Sequence, residues 1–210
     1  MNIQNINSSI QFQKITQAHE EIIFQWLKEP HMQEFWDNSQ EHKEDISNFI
    51  NGRIKPSNYF NGIFTYWVGI IDNCPFCFIL TAEVDKNETH PKIWLDNISK
   101  TGTTYSIDFG IGNTKYLGKG LASSTLKMFT KFFHEKIDPS ADTFFIDPSE
   151  QNPRAKHVYE KAGFNMVGNF EMDMGVFKGE QTHLMVKKVL PNPKIIPATI
   201  IDYPIIREFQ

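Results

Sequence analysis

The first half of the chain combines short stretches of alternating polarity with stretches of helical periodicity. Residues Ile10–Ile15 alternate between apolar and polar, as a half-buried strand does. Thr16 is a candidate cap for a helix that ends at Glu29-Pro30 and carries an apolar face of Ile22, Ile23, Trp26 and Leu27. The pattern then predicts helical segments over His31–Asp37 and Glu41–Ile50, and a hairpin of strands Tyr66–Ile71 and Phe76–Val84 with the turn Asp72-Asn73-Cys74-Pro75.

The second half of the chain predicts strands and helices in alternation. A strand over Thr103–Phe109 precedes a helix from Leu117 to His134, whose apolar residues at helical spacing include Ala122, Leu126, Phe129 and Phe133. Thr143–Ile146 is a short buried strand. The next helix has Asn152 at its cap, Pro153 in its first turn, Gly163 past its end, and an inner stripe of Ala155, Val158, Tyr159 and Ala162. Strands Phe164–Val167 and His183–Val189 are predicted to close the sheet.

The order of these elements predicts an α/β (α+β) domain with a mixed, mostly antiparallel central sheet flanked by helices. We expect residues 1–190 to form this single domain. Residues 191–210 form a tail rich in proline and isoleucine, too apolar for a free linker. The tail is expected to pack on its own domain or on a neighbouring subunit, as in a homodimer.

Composition and charge exclude several classes of function. The chain has 210 residues, 40% of them hydrophobic, enough to bury a sizeable core. A formal net charge of −4 without a basic run argues against nucleic-acid binding. No apolar stretch approaches the roughly 20 residues that span a bilayer, and Met1–Ile10 lacks the features of a secretion signal. We therefore expect a cytoplasmic protein without membrane contact.

The two cysteines, Cys74 and Cys77, are spaced as in redox and zinc motifs. A redox pair expects a helix to begin there, whereas the following residues favour a strand. A zinc site needs two further ligands, and the sequence has no second pair. We therefore predict no metal site, and a turn that leads into a strand in a reducing compartment.

The most informative chemistry lies in the loop that leads into the long helix. The loop contains Lys115-Tyr116-Leu117-Gly118-Lys119-Gly120, followed by Leu121 and Ala122. Free N–H groups and the helix dipole favour an anion there, and glycines let the backbone approach it closely. The spacing matches neither a Walker A loop nor Gly-x-Gly-x-x-Gly. A glycine-rich helix start that binds nothing is the alternative.

Several blocks of sequence resemble the GNAT superfamily of N-acetyltransferases. Lys115-x-x-Gly118-x-Gly120 is similar to the family's acetyl-CoA pyrophosphate loop, usually Gln/Arg-x-x-Gly-x-Gly/Ala, with lysine in the first position. Asp147–Ala155 together with Tyr159–Phe164 is similar to the DPxxxNxRA…YEKAGF block of aminoglycoside 6'-N-acetyltransferases. Trp26–His31 with Phe35-Trp36 also resembles that group, and the resemblance covers residues 10–190.

The resemblance implies acetyl-CoA as co-substrate and indicates the residues that hold it. The pyrophosphate would lie on Lys115, Tyr116, Leu117, Gly118, Lys119, Gly120, Leu121 and Ala122. Main-chain N–H groups near Phe109 and Gly110 would meet the thioester carbonyl, and the helix start at Asn152 and Ala155 would meet the pantetheine arm. Tyr159 would protonate the leaving thiolate. A plain cap at Asn152 and a core role for Tyr159 are the alternatives.

The resemblance also implies a small cationic amine as acceptor. Asp108 is a candidate base or amine ligand, because an acid within an apolar strand costs free energy unless it is paired or used. Asp147 and Glu83 are further candidate substrate ligands. Phe35 and Trp36 are a candidate aromatic wall. His31 and His183 are not favoured as bases, because a lone histidine is more often structural.

The predicted function is acetyl transfer from acetyl-CoA to an aminoglycoside-like amine. Three alternatives stay open: a siderophore-type lysine N-acyltransferase, an enzyme that acetylates protein N-termini, and a non-catalytic acyl-CoA or antibiotic-binding module. The first shares the Trp-Leu-x-x-Pro-His opening but usually carries a different block where this chain has Tyr159–Phe164. The retained Tyr159 argues against the last.

Overall fold

The central sheet is mixed and mostly antiparallel, as the sequence predicts. The computed structural model describes residues 10–189. The strands are β1 (Gln11–Lys14), β2 (Thr65–Ile71), β3 (Cys74–Glu83), β4 (Thr103–Ile111), β5 (Ala141–Ile146), β6 (Asn165–Glu171) and β7 (Gln181–Lys188). Their order across the sheet is β1-β2-β3-β4-β5-β7-β6. Only β4 and β5 pair in parallel among these neighbours.

The helices begin and end largely where the capping residues predict. They are α1 (Gln17–Trp26), α2 (Pro30–Gln33), α3 (Gln40–Ile50), α4 (Lys92–Asn97), α5 (Leu121–Phe132) and α6 (Pro153–Lys161). Thr16 is the N-cap of α1, and its N–H donates to His19 Nδ1 at 3.0 Å. Asn152 Oδ1 accepts from the N–H of Ala155 at 3.0 Å, which confirms it as the cap of α6.

Strands β2 and β3 are buried on both sides because helices cover both faces of the sheet. Trp67 and Ile79 belong to a core that includes α5 and α6, with Phe129 at its centre. Tyr66 and Phe78 face the opposite way, into a core with α1, α2 and α3. The sheet thus separates an α5–α6 face from an α1–α3 face.

The parallel pair β4–β5 separates part-way along its length. Pairing ends at Ser106 with Phe145, whereas β4 continues to Ile111 against β3. Beyond that point the two strands no longer pair and leave a gap, and residues of both cores, such as Tyr159 and Trp36, line a common cleft.

Two predicted boundaries are wrong. The hairpin turn consists of Asp72 and Asn73, with φ of 49° and 61°, and Cys74 already pairs within β3. The mirror-image turn that such φ values form suits the twist of a hairpin. Helix α5 begins at Leu121 instead of Leu117, since Gly118 and Gly120 have φ of 71° and 70° and interrupt the helix.

Other predictions are extended or lie outside the described residues. Strand β6 continues to Glu171, beyond the predicted end at Val167, and α4 was not predicted. Both cysteines are free thiols. The tail of residues 191–210 lies outside the described residues.

Candidate active site

The gap between β4 and β5 leads into a cleft of about 1410 Å³ that joins most of the predicted site residues. Those lining it are Phe35, Trp36, Glu83, Asp108, Phe109, Gly110, Tyr116, Leu117, Gly118, Lys119, Gly120, Leu121, Ala122, Asp147, Asn152, Ala155 and Tyr159. Lys115 is not among them. It is exposed in a 3₁₀ turn, Thr114–Tyr116, and its N–H donates to Asn113 Oδ1 at 3.1 Å.

One end of the cleft is suited to an anion. Gly120 is the N-cap of α5 and has no side chain to satisfy the first N–H groups of that helix. A Cβ built on Gly118 or Gly120 would meet nothing within 4 Å, so the backbone is open to a ligand on that side. The unsatisfied N–H groups and the helix dipole would both stabilise a phosphate there.

Tyr159 reaches the cleft from α6 on the α5–α6 face. Its side chain is 9% exposed and packs near Phe164, with ring centroids 6.4 Å apart. Within residues 10–189, its hydroxyl has no hydrogen-bond partner. Burial, and then the charges of Asp108 and Asp147, raise the pKa of Tyr159 above its ordinary value. The phenol therefore keeps its proton at neutral pH.

Asp108 projects on the opposite face of the sheet. It pairs with Leu80, a member of the α1–α3 core, whereas its neighbours Ile107 and Phe109 belong to the other core. The carboxyl is accessible to water, yet the walls of the cleft displace much of its solvent, and this raises the pKa of Asp108 to about 6. Asp147 follows the end of β5, and desolvation together with the charge of Asp108 raises the pKa of Asp147.

Main-chain direction along β4 distinguishes the two predicted thioester contacts. Val84 N–H donates to Thr104 O at 2.9 Å, and hydrogen-bonding directions alternate along an antiparallel strand. Gly110, which is opposite Phe78, therefore directs its N–H towards β3. Phe109 directs its N–H into the gap.

Helix α2 holds an aromatic wall against the end of β4. A Cβ on Gly110 would lie 2.8 Å from Met32 Cε and 3.1 Å from Trp36 Nε1, so both side chains rest on this glycine. His31 Nε2 hydrogen-bonds to Ile111 O at 2.9 Å and fixes α2 in place. Trp36 packs on Phe78, with ring centroids 5.0 Å apart.

Of the other residues considered in the sequence, Glu83, His31 and Phe35 line the cleft and His183 does not. Glu83 is exposed and lines the cleft. His31 also lines the cleft, and its hydrogen bond to Ile111 O holds α2 in place. His183 bonds to Asn169 Oδ1 at 2.8 Å and does not line the cleft. Phe35 lines the cleft and is half-buried.

Further lining residues lie outside the set of predicted site residues. They come from three segments, around Tyr59–Phe64, from His90 to Trp94, and from Met172 to Glu180. His90 stacks on Trp94, with ring centroids 5.7 Å apart, and both rings carry a buried nitrogen without a hydrogen-bond partner in the described part of the chain, although His90 Nε2 lies 3.9 Å from Glu88 Oε2. The loops around Asn58-Tyr59-Phe60 and Lys86–Asn97 are expected from the sequence to affect acceptor specificity, whereas the segment Met172–Glu180 carries no such signal.

The described residues contain neither a metal-binding cluster nor a helix that could span a membrane. Across residues 10–189, no group of three or more His, Cys, Asp or Glu side chains is placed to hold a metal ion. In that same range, every helix is too short or too polar to cross a bilayer.

Comparison with known proteins relates the chain to acetyltransferases. A family model described as an acetyltransferase (GNAT) domain matches residues 16–172. The chain is 24% identical over 170 residues, covering 79% of each sequence, to an aminoglycoside N(6')-acetyltransferase type 1 from Klebsiella pneumoniae. Its fold is similar to the crystal structure of an aminoglycoside N(6')acetyltransferase from Legionella pneumophila, with a TM-score of 0.65, 23% identity, and coverage of 86% and 92%. It is also similar to an aminoglycoside acetyltransferase crystallised with coenzyme A and kanamycin, with a TM-score of 0.64, 22% identity, and coverage of 86% and 95%.

Proposed function

Because the chain belongs to the GNAT acetyltransferase family, we propose that it transfers the acetyl group of acetyl-CoA to a primary amine of a small, cationic, aminoglycoside-like acceptor. The observation that carries this proposal is the cleft itself, which joins a helix start suited to an anion to a pair of carboxyl groups. An acyl-CoA carries anionic phosphates at one end, and a polyamine is cationic. The end with the helix start therefore suits the acyl-CoA, and the end with the carboxyl pair suits the cationic acceptor.

The α5–α6 face would hold the co-substrate. The main-chain N–H groups of Gly118–Ala122 would bind the pyrophosphate, and the start of α6 at Asn152 and Ala155 would border the pantetheine arm. Acetyl-CoA supplies the acetyl group as an activated thioester. The N–H of Phe109, directed into the gap, would donate to the thioester carbonyl oxygen and stabilise the charge that develops there.

The α1–α3 face would hold the acceptor. Asp108 and Asp147 would bind its ammonium group, and the Asp108 carboxylate would accept a proton so that the amine can attack. As the new C–N bond forms and the C–S bond breaks, the Tyr159 hydroxyl would donate its proton to the sulfur, and the second proton that the nitrogen loses would restore the hydroxyl. The phenol is protonated at neutral pH, so its proton is available to the thiolate.

An assay of thiol release from acetyl-CoA tests the proposal. The panel comprises kanamycin, spermine, hydroxylysine and a peptide with a free N-terminus. We expect release with kanamycin and the weakest release with the peptide. Release that is greatest with hydroxylysine would favour a siderophore-type N-acyltransferase, and no release with any amine would refute an acetyltransferase of small amines.

A further inference from the structure

Two distant loops that line the acceptor side of the cleft contact one another. Phe60 lies in the loop between α3 and β2, and Gly175 lies in the loop between β6 and β7. A Cβ placed on Gly175 would be 2.4 Å from Phe60 Cζ and 2.7 Å from Phe60 Cε1. The phenyl ring therefore rests directly on the backbone of Gly175. We call these two residues the arch.

Residues on both sides of the arch have left-handed backbone conformations. Phe60 and the following Asn61 have φ of 51° and 49°, a left-handed conformation that is rare for a bulky residue. Gly175 has φ of 74°. Such conformations cost free energy and persist where the surrounding structure fixes them, often at ligand-binding sites. Here the ring of Phe60 is also held by Tyr59, edge to face at 4.7 Å between centroids.

The arch stands on the same side of the sheet as Asp108. Tyr59 and Phe60 pack against the α1–α3 core. Burial, and then the charge of Asp108, raise the pKa of Tyr59, so the base of the arch lies close to that carboxyl. Side chains from both loops line the cleft beside the arch, among them Phe64, Met172 and Phe177.

We propose that Phe60 is a specificity-determining residue, because its contact with Gly175 limits the width of the acceptor that can bring an amine to Asp108. The inference rests on the proposed acetyltransferase function. Displacing the phenyl ring would cost its contacts with the backbone of Gly175 and with Tyr59. A wide acceptor would therefore reach Asp108 only if the two loops separated, whereas a narrow one would reach it without displacing them.

Neamine and neomycin are suitable probes, because both carry the same amino sugar and neomycin carries additional rings. The measured quantity is the ratio of kcat/KM for neomycin to kcat/KM for neamine. Phe60→Ala removes the ring, and we expect this ratio to rise about tenfold. Phe49→Ala is the control, since Phe49 packs on Tyr66 at 5.5 Å and does not line the cleft. The control should leave the ratio unchanged.

A pair of glycine variants separates the contact from backbone strain. Gly175 and Gly179 lie in the same loop with φ of 74° and 89°, so alanine is strained at both. Only the alanine at position 175 would press on Phe60, because a Cβ at Gly179 meets nothing within 4 Å. We expect Gly175→Ala to change the ratio at least about threefold and Gly179→Ala to leave it unchanged. In the Phe60→Ala background the effect of Gly175→Ala should disappear.

The outcomes distinguish the two proposals. If the native protein acetylates neither neamine nor neomycin, the proposed function and the arch fall together. If the native protein is active but Phe60→Ala leaves the ratio unchanged, only the arch is overturned. Equal effects of Gly175→Ala and Gly179→Ala would also overturn it, because strain alone would then explain the change.

Discussion

Asp108 and Asp147 flank the gap where β4 and β5 separate, and the charge of Asp108 raises the pKa of Asp147. Two carboxyl groups that share little solvent and repel one another are each costly to ionise. A cation placed between them relieves both costs. The pair therefore connects the fold, through strand separation, to the proposed preference for a cationic acceptor.

Activity should depend on pH through Asp108. Loss of solvent raises the pKa of Asp108 to about 6, and only the carboxylate can accept a proton from the amine. We expect kcat/KM to fall as pH drops through about 6. Asp108→Asn should lower kcat/KM about 100-fold and abolish this acidic limb. A native profile without an acidic limb, or a limb that survives in Asp108→Asn, would contradict the role of Asp108.

The same carboxyl should lower the stability of the folded protein. Its folded pKa of about 6 lies above the ordinary value of 3.8, so ionisation opposes folding above pH 6 and has no effect below pH 3.8. Asp108→Asn should therefore raise the free energy of unfolding by about 1 kcal/mol at neutral pH and by little near pH 4. We expect only this modest gain because the carboxyl is accessible to water.

Urea unfolding at both pH values checks this gain in stability. Glu160→Gln is the control, since Glu160 is an exposed carboxyl on α6 and should show no gain at either pH. A loss of stability in Asp108→Asn at neutral pH would show that the carboxyl has a structural partner instead.

Tyr159→Phe should separate proton donation from binding. The substitution removes a hydroxyl that, within residues 10–189, bonds to no other group, so the packing of α6 should be preserved. We expect kcat to fall about 10- to 100-fold, because the leaving thiolate loses its acid. The affinity for CoA, measured by calorimetry, should change little. A fall in CoA affinity with kcat preserved would assign Tyr159 to binding alone.

Substitution of Gly118 should weaken CoA binding through its effect on the backbone, and substitution of Lys115 should weaken it less. Gly118→Ala places a methyl group on the open side of the turn and strains a residue with φ of 71°. Gly118→Glu adds a negative charge as well. Both should weaken CoA binding, the glutamate variant about 100-fold. Lys115→Ala should have a smaller effect, since Lys115 is exposed and lies outside the cleft lining.

Gly52→Ala is the matched control for the strain at Gly118. Gly52 has φ of 82°, and a Cβ there also meets nothing within 4 Å. Gly52→Ala should match Gly118→Ala in stability but bind CoA like the native protein. Equal losses of CoA affinity for Lys115→Ala and Gly118→Glu would mean that side-chain charge, rather than main-chain N–H groups, dominates.

Local signals in the sequence could predict much of the fold. Helix α6 is bounded by Asn152, Pro153 and Gly163, each of which acts within a few residues of its own position. The helix predicted from Leu117 begins instead at Leu121, because the left-handed φ of Gly118 and Gly120 interrupts the chain before it. Helix α4 spans only six residues, and its apolar side chains Ile93 and Trp94 are only partly buried against the sheet, so the helix is too short for a 3.6-residue period to reveal it.

The acceptor side of the site could be predicted only in part. Asp108 was identified as a candidate because a charged residue within an apolar strand is unusual. The arch depends on a meeting of Phe60 and Gly175 across 115 positions of sequence, and neither residue signals its partner locally. Contacts of this kind depend on how loops are placed by the whole sheet.

A crystal structure of the protein with bound CoA is the most direct test of the proposed site. We expect the pyrophosphate on the main-chain N–H groups of Gly118–Ala122, the pantetheine arm in the gap between β4 and β5, and the sulfur within hydrogen-bonding reach of the Tyr159 hydroxyl. A structure in which CoA leaves this gap empty, or places its sulfur away from Tyr159, would contradict the proposal.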